Sequence, residues 1–371
     1  MINERFLFLD TLGINTQGKD KIITKEQYLK WVNSIGNIIT NLSTFAVLSP
    51  YLEIKIGIAF GLYETTYAYK GLCKRLEELK VEVPIRNTID PVLSGKTELS
   101  IEDTSWELKS IADEMNNVLM NINQLADWPS VRLLRKEIIP SLIVTVDLLD
   151  ELVKIPLKTN CLTYMGDRDD RYTTFNHTRN YEEGKYGNKE RGNLIQQLRT
   201  QRDELDAIET FARLIAVEPK LNSSDLLELA RIVADEGRHS LIGEICLDFL
   251  EIDPISVPVG TIGAELRSQL TPWEALAQIC LIGEAGNLKE IENGSRNAYD
   301  FKQHNISVLL KSIYTDESYH ISKGVELLKN KTPDIQIKKL QSDILEKTNK
   351  FLETKGIPKV TLREAGRLLG E

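Results

Sequence analysis

Histidine is scarce in this chain: four residues in 371, none of them before position 177. Cysteine is equally sparse, at positions 73, 161, 246 and 280, with no Cys-x-x-Cys pair. That excludes a disulfide framework and a zinc ribbon, and it fits a reducing compartment. No apolar run approaches the ~18 residues of a membrane span. The richest stretch, Ile54 to Leu62, is interrupted by Lys55. The first ten residues lack a basic segment followed by a long apolar one, so no secretory signal is expected and the chain reads as cytoplasmic, with no membrane partner. Basic residues are in the minority, 46 Lys and Arg against 55 Asp and Glu, a net charge of −9. Such a balance disfavours nucleic acid as a partner. Strand-like alternation is scarce, and the one Asn-Gly pair, Asn293-Gly294, falls between two helical patterns. What remains is 42% hydrophobic and 27% charged, the make-up of an ordinary globular protein.

The periodicity is helical almost throughout, so the expected fold class is all-α, built as two helical bundles. In the first half, helices are expected at about Lys25 to Leu48, Tyr51 to Lys80, Ile101 to Ala126 and Ser130 to Val153, the last bent at Pro140. Residues Lys158 to Arg191 are rich in Asp, Arg, Asn, Gly and Tyr. They read as an ordered linker anchored by Tyr164, Tyr172, Phe175, Tyr181 and Tyr186. In the second half, helices are expected at about Asn193 to Val217, Asn222 to Leu250, Pro272 to Gly286 and Ser295 to Lys329, with a further one at Asp334 to Glu353. The connections run short, long, short, the pattern of two antiparallel hairpins joined by a crossover. The expected division is 1–157, a helical bundle; 158–192, linker; 193–330, a four-helix domain; and 331–371, a C-terminal helix and tail.

Two of the four histidines sit in Glu-x-x-His frames, Glu236-Gly-Arg-His239 and Glu317-Ser-Tyr-His320. A three-residue step puts both side chains on one helical face, within reach of one metal. Each frame continues an apolar stripe: Leu229, Ile232 and Val233 before the first, Leu309, Leu310 and Ile313 before the second. A carboxylate in such a stripe is costly unless it is paired or binds metal. The other two helices each offer a core-facing carboxylate. Glu209 lies on the stripe of Leu205, Ile208, Ala212 and Ile215, and is preferred over Glu204, which adjoins the polar run Gln201-Arg202-Asp203. Glu284 lies with Ala277, Cys280 and Leu281, and is preferred over Glu274, which sits in a first helical turn where a carboxylate favours the helix dipole. The expected ligands are Glu209, Glu236, His239, Glu284, Glu317 and His320, a box for two metals. Asp235, Asp316 and Arg238 flank it. Each Asp is expected to reach the histidine of the opposite frame, Asp235 to His320 and Asp316 to His239, with Arg238 balancing the added charge.

At these residues the sequence resembles the ferritin-like superfamily of di-iron carboxylate proteins, and more closely a bacterial branch with a long helical N-terminal region. The resemblance covers about residues 193–330 and is carried by Glu204-Leu-Asp-Ala-Ile-Glu209, Ala234-Asp-Glu-Gly-Arg-His239, Leu281-Ile-Gly-Glu284 and Ile313-Tyr-Thr-Asp-Glu-Ser-Tyr-His320. It implies two iron ions (or a Mn/Fe pair) as cofactor and O₂ as co-substrate. The implied activity is that of an oxygenase or oxidase on a small organic substrate. The alternatives are an iron- or peroxide-detoxifying ferroxidase-like protein, or a helical scaffold with a vestigial site. An electron-donor protein and a second copy of the chain are the partners such a reading allows. The segment Tyr63-Glu-Thr-Thr-Tyr-Ala-Tyr69 resembles a degenerate copy of the same bundle with Ala or Tyr where relatives have His, so no second metal site is expected.

Overall fold

The computed structural model describes residues 22–94, 99–122, 124, 127–158, 162–175, 189–362 and 364–365. Among them the fold is all-α. The only extended segments there are Thr174–Phe175 (β1) and Val259–Gly260 (β2), which pair in parallel. Helix α1, Lys25–Leu48, opens with a capping box in which Thr24 and Gln27 exchange side-chain and backbone bonds. It stops at Ser49-Pro50, as the sequence suggests, and α2 is Leu52–Glu78. Helix α3 is Ile101–Asn121, capped by Ser100. Helix α4 consists of Trp128–Leu133, a π-helical turn Leu134–Ile138, and Ile139–Lys154. The wide turn lies just ahead of Pro140, whose ring and missing N–H disturb regular bonding there.

The second half departs from the expected helix limits in an informative way. The single helix expected from Asn193 to Val217 is two: α5, Lys189–Arg202, and α6, Leu205–Val217. Helix α7, Ser223–Phe249, starts where Asn222 accepts bonds from the backbone of Ser224 and Asp225. The long connection holds a short helix α8, Ile262–Ser268. Helix α9 begins at Pro272, widens into a π turn over Ile279–Glu284, and continues through Ala285–Asp300, so Asn293-Gly294 lies inside a helix. Helices α10, His304–Lys331, and α11, Ile337–Thr354, complete the order.

The hairpins stack in layers. Helix α3 packs on α4, α4 on α2, and α1 and α2 pack in turn on α6 and α7. Helices α5 and α6, end to end in one position, close a four-helix arrangement at the far side with α7, α9 and α10. The main apolar core runs through both halves, with Ile35, Ile58, Leu142, Phe211, Val233, Ile282 and Leu328 in one connected cluster. It therefore crosses the boundary drawn in the linker. A second cluster, with Leu194, Leu198, Ile242, Leu247, Leu310 and Ile313, fills the other end of the bundle. Between these two clusters every bundle helix turns polar at the same level. Helix α6 is enclosed on all sides: every residue from Gln201 to Ala216 is buried.

Candidate metal centre

At the level where the two apolar clusters part, four glutamates and two histidines converge. They form two groups of possible ligands, Glu204, Glu236, His239 and Glu317 in one, and Glu236, Glu284, Glu317 and His320 in the other. In each group the donor atoms lie within 4.8 Å of one another. Glu236 and Glu317 belong to both. The two imidazoles lie 5.8 Å apart, centroid to centroid, and both are fully buried. His239 turns Nδ1 inward, 2.9 Å from Glu204 Oε2, 3.2 Å from Glu236 Oε2 and 3.2 Å from Glu317 Oε1. His320 Nδ1 lies 3.0 Å from Glu236 Oε1 and 3.9 Å from Glu284 Oε1.

Close approach amounts to hydrogen bonding at only some of these contacts: His239 Nδ1 bonds Glu236 Oε2 at 3.2 Å, but other atoms stay unbonded. His320 Nδ1 and Glu236 Oε1 are neighbours, yet neither has a partner in hydrogen-bond geometry, and the same holds for Glu204 Oε2 and Glu317 Oε1. Buried polar atoms left in this state cost free energy. Donors that converge on common points and leave several atoms unbonded form groups that could hold a cation. Four carboxylates also outnumber two imidazoles, so protonation of both rings leaves net negative charge in a dry interior. The titrations reflect that imbalance. Burial raises the Glu204 carboxyl well above its ordinary value, and Glu317 raises it further. Burial and the charge of Glu236 likewise raise Glu317. Burial disfavours charged imidazole, yet Glu204 raises His239, and Glu236 raises His320, well above the usual histidine value. Burial would raise Glu236 also, but the two imidazoles bring it down to about 2.

Each imidazole presents Nε2 to the opposite frame. His239 Nε2 lies 3.4 Å from Asp316 Oδ2, in hydrogen-bond geometry. His320 Nε2 lies 3.5 Å from Asp235 Oδ2, at ion-pair range. Arg238 Nη2 bridges the two aspartates, bonding Asp316 and lying 3.5 Å from Asp235. All three are half-buried, so this crosswise link joins the buried centre to the surface. Burial would raise the Asp316 carboxyl, but hydrogen bonds from His239 and Arg238 bring it down to about 2.

The local backbone explains how the ligands reach one level. Arg202, fully buried, donates to the carbonyls of Pro254, Val257 and Pro258. The next carboxylate, Asp203, accepts from the backbone of Gly260. These bonds hold the chain between α5 and α6 out of helical register. Glu204 sits at that break, with Gln201 Nε2 donating to its Oε1 at 2.7 Å. Helix α7 can press against the break because Gly243 has no side chain: a Cβ there would meet Arg202 N at 2.4 Å. Glu284 ends the π turn of α9, whose extra residue shifts the helical phase of the residues after it. Its side chain is buried beside His320.

Glu209 is the one expected ligand that lies elsewhere. It is fully buried on the other side of α6, 2.8 Å from Lys55 Nζ and 2.7 Å from Arg168 Nη1. The structure puts Glu204 in its place. The expectation assumed one continuous helix, on which a five-residue step separates the two carboxylates by about 140°, and took the apolar neighbours of Glu209 as the sign of the core. Because α6 is buried all round, apolar neighbours do not single out a face. A usable signal was present: 32 residues separate Glu204 from Glu236, and 33 separate Glu284 from Glu317. Equal hairpins should carry their ligands at equal intervals. Glu274 lies outside the cluster in a capping box with Thr271. His304 is exposed beside Tyr299 at the start of α10, and His177 lies outside the described residues.

No family model, curated protein or solved structure matches the chain.

Proposed function

We propose that Glu204, Glu236, His239, Glu284, Glu317 and His320 hold two divalent transition-metal ions, and that the protein is a non-haem di-iron or Mn/Fe oxidase or oxygenase acting on a small organic substrate. One observation carries the metal reading: two four-donor groups share Glu236 and Glu317 at the level where both apolar cores stop. Carboxylate and imidazole donors suit iron and manganese, whereas soft metals select thiolates, and no cysteine is in either group. The donor set, four glutamates and two histidines from a four-helix arrangement, is that of di-iron and di-manganese carboxylate proteins. When bound, such a pair of ions supplies Lewis acidity and the electrons for reducing O₂.

The rest of the chemistry is assigned to the chain. Asp316 accepts from His239 Nε2, and Asp235 stands at ion-pair range of His320 Nε2, so that with metal bound each Nδ1 would be left unprotonated and turned inward. Arg238 balances the two aspartates. Phe211, 6.5 Å from the His320 ring between centroids, and the apolar clusters at either end keep the centre dry. A dry surrounding strengthens every charge interaction inside it. The cover of α1 and α2 over α6 and α7 supports a discrete catalytic domain over a storage shell, because it occupies a face that single compact bundles would leave free. The test is O₂ consumption by the anaerobically iron-loaded protein on mixing with aerated buffer, with and without candidate organic substrates. Uptake is expected in the wild type and absent in a His239→Ala/His320→Ala variant. Equal uptake in both overturns the reading.

A further inference from the structure

Helix α6 has a second charged face, turned away from the metal centre. A 100° step per residue puts Glu204, Ile208, Phe211 and Ile215 on one side and Asp206, Glu209 and Arg213 on the other. That second face is buried and bonded almost residue by residue. Arg168 Nη1 donates to Glu209 Oε1 at 2.7 Å, and its Nη2 bonds Asp206. Lys55 Nζ lies 2.8 Å from Glu209 Oε1 and donates to the carbonyls of Ala46 and Val47 in the last turn of α1. Asp206 Oδ2 accepts from the backbone of Ala264, with Arg267 at 3.2 Å. Arg213 donates to Asp90 and to the carbonyls of Arg267 and Leu270.

Arg168 belongs to the segment between the two halves, which acts as a strap. Thr163 N bonds Leu48 O, and Asp169 N bonds Pro50 O, both at the α1–α2 corner. Arg171 forks onto Glu53 of α2, and Tyr172 donates to Glu244 of α7. Gly166 takes a left-handed turn with φ 90°, and a Cβ there would meet that of Ala264 at 2.8 Å. The guanidinium, its side chain 1% exposed, thus projects from a fixed loop into the layer between α2 and α6.

We propose that Arg168 is a positioning residue for the metal centre: by holding Asp206 and Glu209 at once, it fixes the start of α6 and with it Glu204. The proposal rests on the metal reading. A planar guanidinium can clamp two carboxylates in a set geometry; a lysine ammonium is a point charge that can be satisfied by either. Glu204 lies two residues before Asp206, at the break between α5 and α6. A small rotation of α6 moves Glu204 against His239, while Glu284 and His320, on α9 and α10, stay where they are. The expected signature is therefore one-sided.

The experiment uses the full chain and cobalt(II) alone as probe, with bound ions counted by titration and the ligand-field absorption as readout. The wild type is expected to take two ions. Folded Arg168→Lys is expected to bind the first as the wild type does, and the second about tenfold or more weakly, the scale of losing a residue that orients a ligand. Arg171→Met, on the same strap but at the surface, should bind both as the wild type does. Should Arg168→Lys not fold, Glu209→Gln, which keeps shape and the Asp206 contact, is expected to give the same one-sided loss. Two ions bound with wild-type affinities by either folded variant, or an equal weakening of both, overturns the positioning role. A wild type that takes no cobalt overturns the metal reading itself.

Discussion

Two buried carboxylate clusters face away from each other across α6, and they are built on different terms. On one side two carboxylates, Glu209 and Asp206, meet three cations, Lys55, Arg168 and Arg267. On the other, four carboxylates, Glu204, Glu236, Glu284 and Glu317, gather around two imidazoles. Both clusters are buried, and both interrupt an apolar core. Burial alone therefore does not mark a functional carboxylate. The mark is a deficit of countercharge, together with donor atoms that converge and are only partly bonded to one another. The paired cluster is complete as a fold element, although burial pushes the Lys55 ammonium down to about 8. The other holds more carboxylates than imidazoles, and in our proposal metal ions supply the difference.

That difference predicts opposite signs for similar substitutions. Glu209→Ala strands Lys55 in the interior, and removal of one partner of a buried pair costs about 3–5 kcal/mol. Glu204→Gln removes one of four mutually repelling carboxylates. The metal-free protein should then gain about 0.5–2 kcal/mol, the usual exchange of function for stability at a site. Urea unfolding of both variants in chelator checks this, and a loss in both of similar size would erase the distinction. Metal removal sharpens the same contrast. Stripping the wild type should lower its stability by about 2.7 kcal/mol for each ion present at a hundred times its dissociation constant. Glu204→Gln should lose about half of that effect.

Smaller effects are expected further out. Asp235→Asn and Asp316→Asn should keep the fold and weaken metal binding about 10–100-fold, because each removes the carboxylate that faces an imidazole Nε2. Titration with cobalt(II) reads this directly, and wild-type affinity in both variants would reduce the aspartates to surface charge. Gly324→Ala would set a Cβ 2.4 Å from Cys280 Sγ, where α10 crosses the π turn of α9. Overpacking there should cost about 1–3 kcal/mol in chelator. An unchanged melting temperature would mean that the two helices can separate at no cost.

Much of this was legible in the residues. The limits of α1, the stop at Pro50, the caps at Asn222 and Thr271 and the two Glu-x-x-His frames arise from local chemistry that a sequence displays. The break before Glu204 does not, because Asp203 and Glu204 are acceptable inside a helix. It is imposed from outside, by carbonyls at positions 254, 257 and 258 and the backbone of Gly260. The same holds for Asn293-Gly294, a turn signal that α9 absorbs because a side chain at Gly294 would press on Gln197. The linker was expected to be anchored by aromatic rings. Tyr172 does bond Glu244, but Tyr164 is exposed and the deepest anchor is Arg168. Tyr181 and Tyr186 lie outside the described residues. The shared core of the two halves was hidden for a related reason: helical periodicity gives a buried face but not the partner that covers it.

The central claim is that the carboxylate-rich cluster is a two-metal centre, and metal content tests it most directly. Full-length protein purified from iron-replete cells, measured by inductively coupled plasma mass spectrometry, should carry two transition-metal ions per chain. The His239→Ala/His320→Ala variant, still helical by circular dichroism, should carry almost none. Equal metal content in the two proteins, or none in the wild type after anaerobic ferrous loading, would contradict the claim.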